Sequence, residues 1–124
     1  MTIIIHNITP EMIPEIHQKA LTVAKTAVTD YLADWTTKTG GNEYGEPMYC
    51  GFAWVEVPGI KLSTKIGKAF ASVGFKKGYR SGLQLWNPGD HHGQSMDAKE
   101  VGADAYAEVL ESYGVKAYGA SRAD

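Results

Sequence analysis

The segment Cys50–Val57 (Cys-Gly-Phe-Ala-Trp-Val-Glu-Val) has the alternation of a β-strand with two unlike faces. Successive side chains of a strand point to opposite sides, so Phe52, Trp54 and Glu56 share one face and small or aliphatic residues share the other. The small face would let a helix pack closely, whereas the bulky face needs a cover of its own. Pro58-Gly59 ends the strand.

Downstream of this strand the pattern predicts two helices and two more strands. Apolar residues in Leu62–Val73 recur at helical spacing, and Tyr79–Trp86 alternates like a strand whose leucines face the core. Asp97 and Glu100 have the spacing of a capping box that begins a third helix. Val115–Tyr118 predicts a last short strand.

Upstream, the three isoleucines Ile3–Ile5 predict a short strand that is buried on both faces or docked to another chain. A long amphipathic helix begins at Pro10 or Pro14 and continues to Trp35. Its apolar stripe suits a core-facing helix, with a dimer seam as the alternative. Because this apolar surface exceeds what a small sheet needs, we expect a homodimer or larger homo-oligomer.

The length and composition bound the architecture. A chain of 124 residues with 44% hydrophobic content is the size of one domain with a real core, which we take to span residues 1–124. Alternating strands and helices resemble βαβ units, whose crossovers give parallel neighbours. We therefore predict an α+β (or small α/β) domain. It has a small mixed sheet of three to four strands, a long N-terminal helix, two further helices, and helices on both faces of the sheet.

The absence of paired cysteines, of a secretory leader and of a long apolar run indicates the cellular compartment. Cys50 is the single cysteine, which excludes an intrachain disulfide. We see neither a secretory leader nor an apolar run of about 20 residues that would cross a bilayer. The sequence therefore predicts a cytoplasmic protein with no membrane partner.

Charge is segregated along the chain. From Val57 to Gly89 there are six basic residues and no acidic one, although the net charge of the whole chain is −2. A basic centre between two acidic arms creates a local field that attracts anions. The centre therefore predicts a phosphate-bearing partner, either a nucleotide or nucleic acid.

The predicted ligand contacts lie in and beside this basic centre. Arginine pairs bidentately with phosphate, and an exposed tryptophan offers a stacking surface for a base. The alternative is that Trp86 packs beneath a helix and the lysines are merely solvated. The residues that we expect to bind the ligand are Lys76, Lys77, Arg80, Gln84, Trp86, Asn87 and Arg122.

Catalytic and metal chemistry find little support. Asp90, His91 and His92 are metal-ligand types, but no third or fourth ligand stands at a recognised spacing. Cys50 begins an apolar strand and is expected to be buried, and the glycines form no phosphate-binding fingerprint. We predict no catalytic residue, no metal and no cofactor, and therefore no enzyme.

Several segments resemble a group of small proteins encoded by tailed bacteriophages and prophages. They are Cys50–Val55, Gly74–Lys77, Leu85–Pro88, Gln94–Glu100 and Ser121–Asp124. The resemblance covers about residues 50–124 and carries no known activity or catalytic residue. It implies a phage origin and hence the cytoplasm of an infected host cell.

Three functions remain open. The first is an accessory protein that binds a nucleotide or short oligonucleotide without turnover and so sequesters a host defence signal. The second is a general nucleic-acid-binding protein, whose affinity would fall steeply with salt. The third is a structural or interaction protein that acts on a host or virion partner without a small ligand.

Overall fold

The computed structural model describes residues 8–78 and 82–124. The predicted strand at Ile3–Ile5 and the predicted ligand contact Arg80 lie outside these residues. The described residues form one small α+β domain with three helices and four strands, which confirms the predicted fold class. The elements are α1 (Ile13–Thr39, preceded by a 3-10 turn at Pro10–Met12), β1 (Gly51–Pro58), α2 (Lys65–Ser72), β2 (Lys76–Lys77), β3 (Gly82–Trp86), α3 (Met96–Ser112) and β4 (Tyr118–Ala123).

The strands form a single sheet in the order β2-β3-β1-β4, and every described pair is antiparallel. Within the described residues the sheet is therefore antiparallel, and not mixed as expected. The crossovers β1-α2-β2 and β3-α3-β4 do bring each pair of strands back to the same direction, but another strand lies between the two members of each pair. This is the split β-α-β arrangement of ferredoxin-like domains, here preceded by α1.

The helices lie on one face of the sheet, not on both as expected. α3 packs on β1 and β4 and along α1, and alternate residues of β1 (Gly51, Ala53, Val55 and Val57) are buried beneath them. The two crossovers start from antiparallel strands and move in opposite directions across the sheet. If they share one hand, as crossovers normally do, both helices must lie on the same side.

The first half of α1 belongs to the core of its own chain. Ile13, Ile16, Ala20 and Ala24 are almost fully buried, so this part of the apolar stripe is not a dimer seam. The helix ends at Gly40, which adopts a left-handed φ of 82° and closes the helix without the strain that a side chain would add.

Close packing of two glycines fixes the turn that follows β3. A Cβ on Gly102 of α3 would come within 2.8 Å of the Cα of Gly89, and one on Gly89 would meet Val28 at 2.6 Å. Only glycine allows this approach, so the turn lies directly on the backbone of α3. The loop 87–94 is thereby held at the end of the sheet.

Two boundaries in the C-terminal third differ from the prediction. β4 spans Tyr118–Ala123 and not Val115–Tyr118, because a segment rich in Gly, Ala and Ser becomes a strand only through its pairing with β1. The N-cap of α3 is Ser95, whose Oγ accepts from the Ala98 amide, and not Asp97.

Candidate functional site

The face of the sheet opposite the helices is open to solvent in the part of the chain that the structure describes. We define the open face by the residues that alternate with the buried ones. They are Phe52, Trp54 and Glu56 of β1, Gln84 and Trp86 of β3, and Tyr118, Ala120 and Arg122 of β4. Trp86 is 47% exposed and Tyr118 is 50% exposed. The expected cover over the bulky face of Cys50–Val57 is therefore absent from the described residues.

Three aromatic rings of the open face form one cluster. Trp54 and Trp86 stand directly opposite each other on β1 and β3, and their indoles stack with centroids 4.8 Å apart and 22° between planes. Phe52 meets Trp86 edge to face at 6.0 Å. The guanidinium of Arg122 lies over the Phe52 ring, 5.7 Å from its centroid. Such pairs stabilise one another and hold the rings in place.

A chain of hydrogen bonds orients the polar groups among these rings. The indole Nε1 of Trp54 donates to Glu56 Oε1 at 2.8 Å, and the Gln84 amide donates to the same oxygen. Trp86 Nε1 in turn donates to Gln84 Oε1 at 3.3 Å. The Glu56 carboxylate thus holds the Trp54 indole and the Gln84 amide directly, and the Trp86 indole through Gln84, which pre-organises the open face.

Cations border the open face on two sides. Lys76 pairs with Gln84 across β2 and β3 and is exposed, and Arg122 lies on the edge strand β4. A cleft of about 710 Å³ lies between these borders. It is lined by Trp54, Glu56, Lys77, Gly78, Gln84, Trp86, Tyr118, Ala120 and Arg122.

A second cleft, of about 320 Å³, adjoins the aromatic cluster at the end of the sheet. It is lined by Phe52, Ala53, Trp86, Asn87, His91, His92, Gly93, Gln94 and Lys99. Asn87 has a left-handed φ of 48° and donates through Nδ2 to the carbonyl of His91 at 2.9 Å. Its Oδ1 is buried and has no partner within the described residues.

Lys99 lines this second cleft. Its side chain comes from the first turn of α3 and is only 9% exposed. The ammonium donates to the carbonyl of Gly51 at 3.0 Å and lies 5.5 Å from the centroid of the Phe52 ring.

The loop 87–94 is anchored by Glu46, a buried carboxylate. Glu46 Oε1 bonds to His91 Nε2, and Oε2 accepts from the amides of Gln94 at 2.8 Å and Ser95 at 2.9 Å. Burial raises the pKa of Glu46, but the hydrogen bonds from His91 and the two amides outweigh burial and hold the pKa below its ordinary value. The two amides that precede α3 thus donate to Glu46, and the Ala98 amide in its first turn donates to Ser95.

The predicted contact residues fall into two groups. Gln84 and Trp86 share the open face, as the alternation predicted, and Arg122, Lys76 and Lys77 lie along its borders. Asn87 lies instead in the wall of the second cleft. Trp86 does not pack beneath a described helix, so its indole remains available on the surface.

Sequence reasoning missed four residues of the site: Phe52, Trp54, Tyr118 and Lys99. Alternation along β1 had already placed Phe52 and Trp54 on one face, and this was the signal that could have identified them. They were missed because that bulky face was assumed to be covered. Tyr118 and Lys99 gave no local signal, because their positions depend on the pairing of β4 and on the path of α3.

The other chemical candidates do not converge. In the described ranges, no group of three or more His, Cys, Asp and Glu side chains is placed to hold a metal ion. His92 and Asp90 form an exposed pair at 3.2 Å. Cys50 is only partly buried and donates weakly to the Met48 carbonyl at 3.8 Å.

Comparison of the chain with protein-family models, with curated proteins and with solved structures found no match. Of the helices that the structure describes, none has the combination of length and apolar composition that a bilayer crossing requires.

Proposed function

We propose that the protein binds an anionic ligand that carries a nucleobase, either a nucleotide or a short oligonucleotide, on the open face and without turnover. The observation that supports this proposal is the ordered cluster of Trp54, Trp86 and Phe52 on an uncovered sheet, with Lys76 and Arg122 at its borders. An exposed aromatic cluster with cations beside it suits a ligand that is flat and apolar at one end and negative at the other.

Base stacking supplies the apolar part of the binding. Aromatic side chains on an open sheet stack the bases of single strands, each worth about 1–3 kcal/mol, and RNA-recognition modules use a four-stranded sheet in this way. The likeness to those modules is an analogy of architecture. In this chain the indoles also stack on each other, so a base would lie against the exposed surface of the Trp54–Trp86 pair.

Charged side chains supply the polar part of the binding. Arg122 offers a planar fork of donors that matches phosphate oxygens, and Lys76 and Lys77 add point charges on the opposite border. Glu56 is the one carboxylate on the described open face, and its Oε1 accepts hydrogen bonds from Trp54 and Gln84. Its other oxygen can accept from a base amino group, and a purely cationic surface would lack such an acceptor.

We expect binding without turnover because of the side chains that the open face carries. General acid–base catalysis needs a proton donor and a proton acceptor within reach of the reacting atoms, and on the described open face Glu56 is the one carboxylate, with one of its oxygens already held by Trp54 and Gln84. In a phage, such binding would serve to sequester a host defence signal. A general nucleic-acid-binding protein is the alternative, since the borders of the open face lie along both sides of the sheet.

Titration of the intrinsic tryptophan fluorescence with mononucleotides, dinucleotides and oligonucleotides of increasing length tests the proposal. Quenching that saturates with a mono- or dinucleotide and depends weakly on salt is the expected result. Affinity that rises with strand length and falls steeply with salt would favour the general nucleic-acid binder. No quenching by any of these ligands would contradict the proposal, and recovery of altered ligand by chromatography would contradict binding without turnover.

We also propose that the chain self-associates. Three large apolar side chains in the loop between α1 and β1, Tyr44, Met48 and Tyr49, are each about 60% exposed. Three exposed apolar side chains in one loop favour contact with another chain. Light scattering at micromolar concentration should give a mass above that of the monomer, and a monomeric mass would contradict this.

A further inference from the structure

Lys99 is a buried cation without a counter-ion. Its side chain is nine-tenths buried, and no carboxylate of the described residues lies within 4.0 Å of its ammonium. It occupies the first turn of α3, where the helix dipole is already positive. Burying a charge is costly unless the charge is paired, so a bound anion would lower the free energy of this site.

The ammonium has unused donors. A lysine ammonium can donate three hydrogen bonds, and within the described residues Lys99 gives one, to the carbonyl of Gly51. Glu46 does not pair with this ammonium: its oxygens accept from the amides of Gln94 and Ser95 and bond to His91.

The cleft above Lys99 is continuous with the open face. Phe52 and Trp86 line this cleft and also belong to the aromatic cluster. The wall on the other side is the loop 87–94, which Gly89 holds against α3. An anion at Lys99 would therefore lie one ring away from a base stacked on Trp86.

We propose that the cleft lined by Lys99, Phe52, Trp86, Asn87 and Gln94 is a phosphate subsite, in which the Lys99 ammonium binds a phosphate of the ligand whose base stacks on the indole pair. This inference rests on the proposed function for the base, but the phosphate contact can be measured separately. A charge-assisted hydrogen bond of this kind corresponds to a roughly tenfold or greater change in affinity.

The test compares nucleosides with their 5′-monophosphates in wild-type protein, in Lys99→Met and in Lys68→Met. Methionine keeps most of the aliphatic stem and removes the charge. Lys68 is an exposed lysine of α2 that lines neither cleft, so Lys68→Met is a control with the same change in net charge. Inorganic phosphate is titrated in parallel by amide NMR on the wild-type protein.

The expected result is that Lys99→Met binds nucleosides as the wild type does and binds monophosphates about tenfold more weakly, while Lys68→Met changes neither. Inorganic phosphate should shift the wild-type amide resonances of Gly51, Gly93 and Gln94. Equal affinity of Lys99→Met and wild type for monophosphates would overturn the subsite and leave the proposed function standing.

Failure of the proposed function has a different signature. If nucleosides and nucleotides do not bind the wild type, but inorganic phosphate shifts the amides around Lys99, the anion subsite stands and the base-binding proposal fails. If phosphate shifts none of these amides, the subsite is refuted whatever the variants do. The NMR titration uses only wild-type protein, so it decides this point even if Lys99→Met does not fold.

Discussion

Replacing Trp86 by Ala removes an indole that is 47% exposed on the open face. A well-packed Trp buries about 150–250 Å², so roughly 100 Å² of contact is lost here, or about 2 kcal/mol at about 25 cal/mol per Å² after allowance for residual burial in the unfolded chain. The stack on Trp54 adds about 0.5–1.5 kcal/mol. We therefore expect the free energy of unfolding to fall by about 2.5–3.5 kcal/mol and the fold to survive.

Ligand binding should respond more sharply. Losing one stacking surface costs about 1–3 kcal/mol per base, which is about a fivefold to 150-fold weakening. Urea unfolding followed by far-ultraviolet circular dichroism measures stability, and anisotropy of a labelled oligonucleotide measures binding. Trp35→Ala is the matched control, because Trp35 lies near the end of α1 on the helical side of the sheet. A double-mutant cycle with Trp54→Ala isolates the stacking energy.

Two results would refute this reasoning. A loss near 5 kcal/mol, the upper end of what emptying a buried Trp site costs, would mean that Trp86 is part of a packed core and that the open face is covered. A stable Trp86→Ala protein that binds every nucleotide as the wild type does would remove the aromatic cluster from the binding site.

Three further changes test the surroundings of the site. Arg122→Ala should weaken nucleotide binding about tenfold with a change of no more than about 0.5 kcal/mol in stability, and equal binding by isothermal titration would exclude Arg122. Glu46→Gln should cost about 1–3 kcal/mol at pH 7 and speed hydrogen exchange at the Gln94 amide. Because the folded pKa of Glu46 is lowered, this difference should shrink as the pH falls below 4.5 through the folded pKa, and a constant difference would be contrary to that assignment. His17 bonds to the buried Tyr106 hydroxyl at 2.7 Å, and burial lowers the folded pKa of His17 below its unfolded value of 6.5. Between the folded pKa of His17 and about 6.5 the unfolded chain therefore binds more protons than the folded chain, so the free energy of unfolding should fall as the pH drops below about 6.5. A His17→Gln protein should lose this pH dependence in urea unfolding.

Local pattern was sufficient for much of the fold. The spacing of apolar residues located α1, α2 and α3, and alternation placed Leu83 and Leu85 in the core. The same alternation put Gln84 and Trp86 together on the opposite face. These features depend on contacts between near neighbours in the chain, which the periodicities of 3.6 and 2 report directly.

Partners distant in sequence decided the rest. Whether the strands meet as parallel or antiparallel neighbours depends on which strand inserts between them, and β1 inserts between β3 and β4 only in the folded sheet. The extent of β4 and the anchoring of α3 by Glu46, 49 residues before Ser95, have no local signal for the same reason.

The sequence by itself therefore determined the α+β class, the helices and the basic centre, because each depends on the spacing or charge of residues that are close together in the chain. Only the tertiary structure decided that both crossovers place their helices on one side. That choice leaves Phe52, Trp54 and Trp86 uncovered in the described residues and brings Lys99 beneath them without a counter-ion. The candidate site is thus a consequence of topology, since it joins β1, β3, β4 and α3, and no periodicity within one segment can indicate which faces of distant segments will meet.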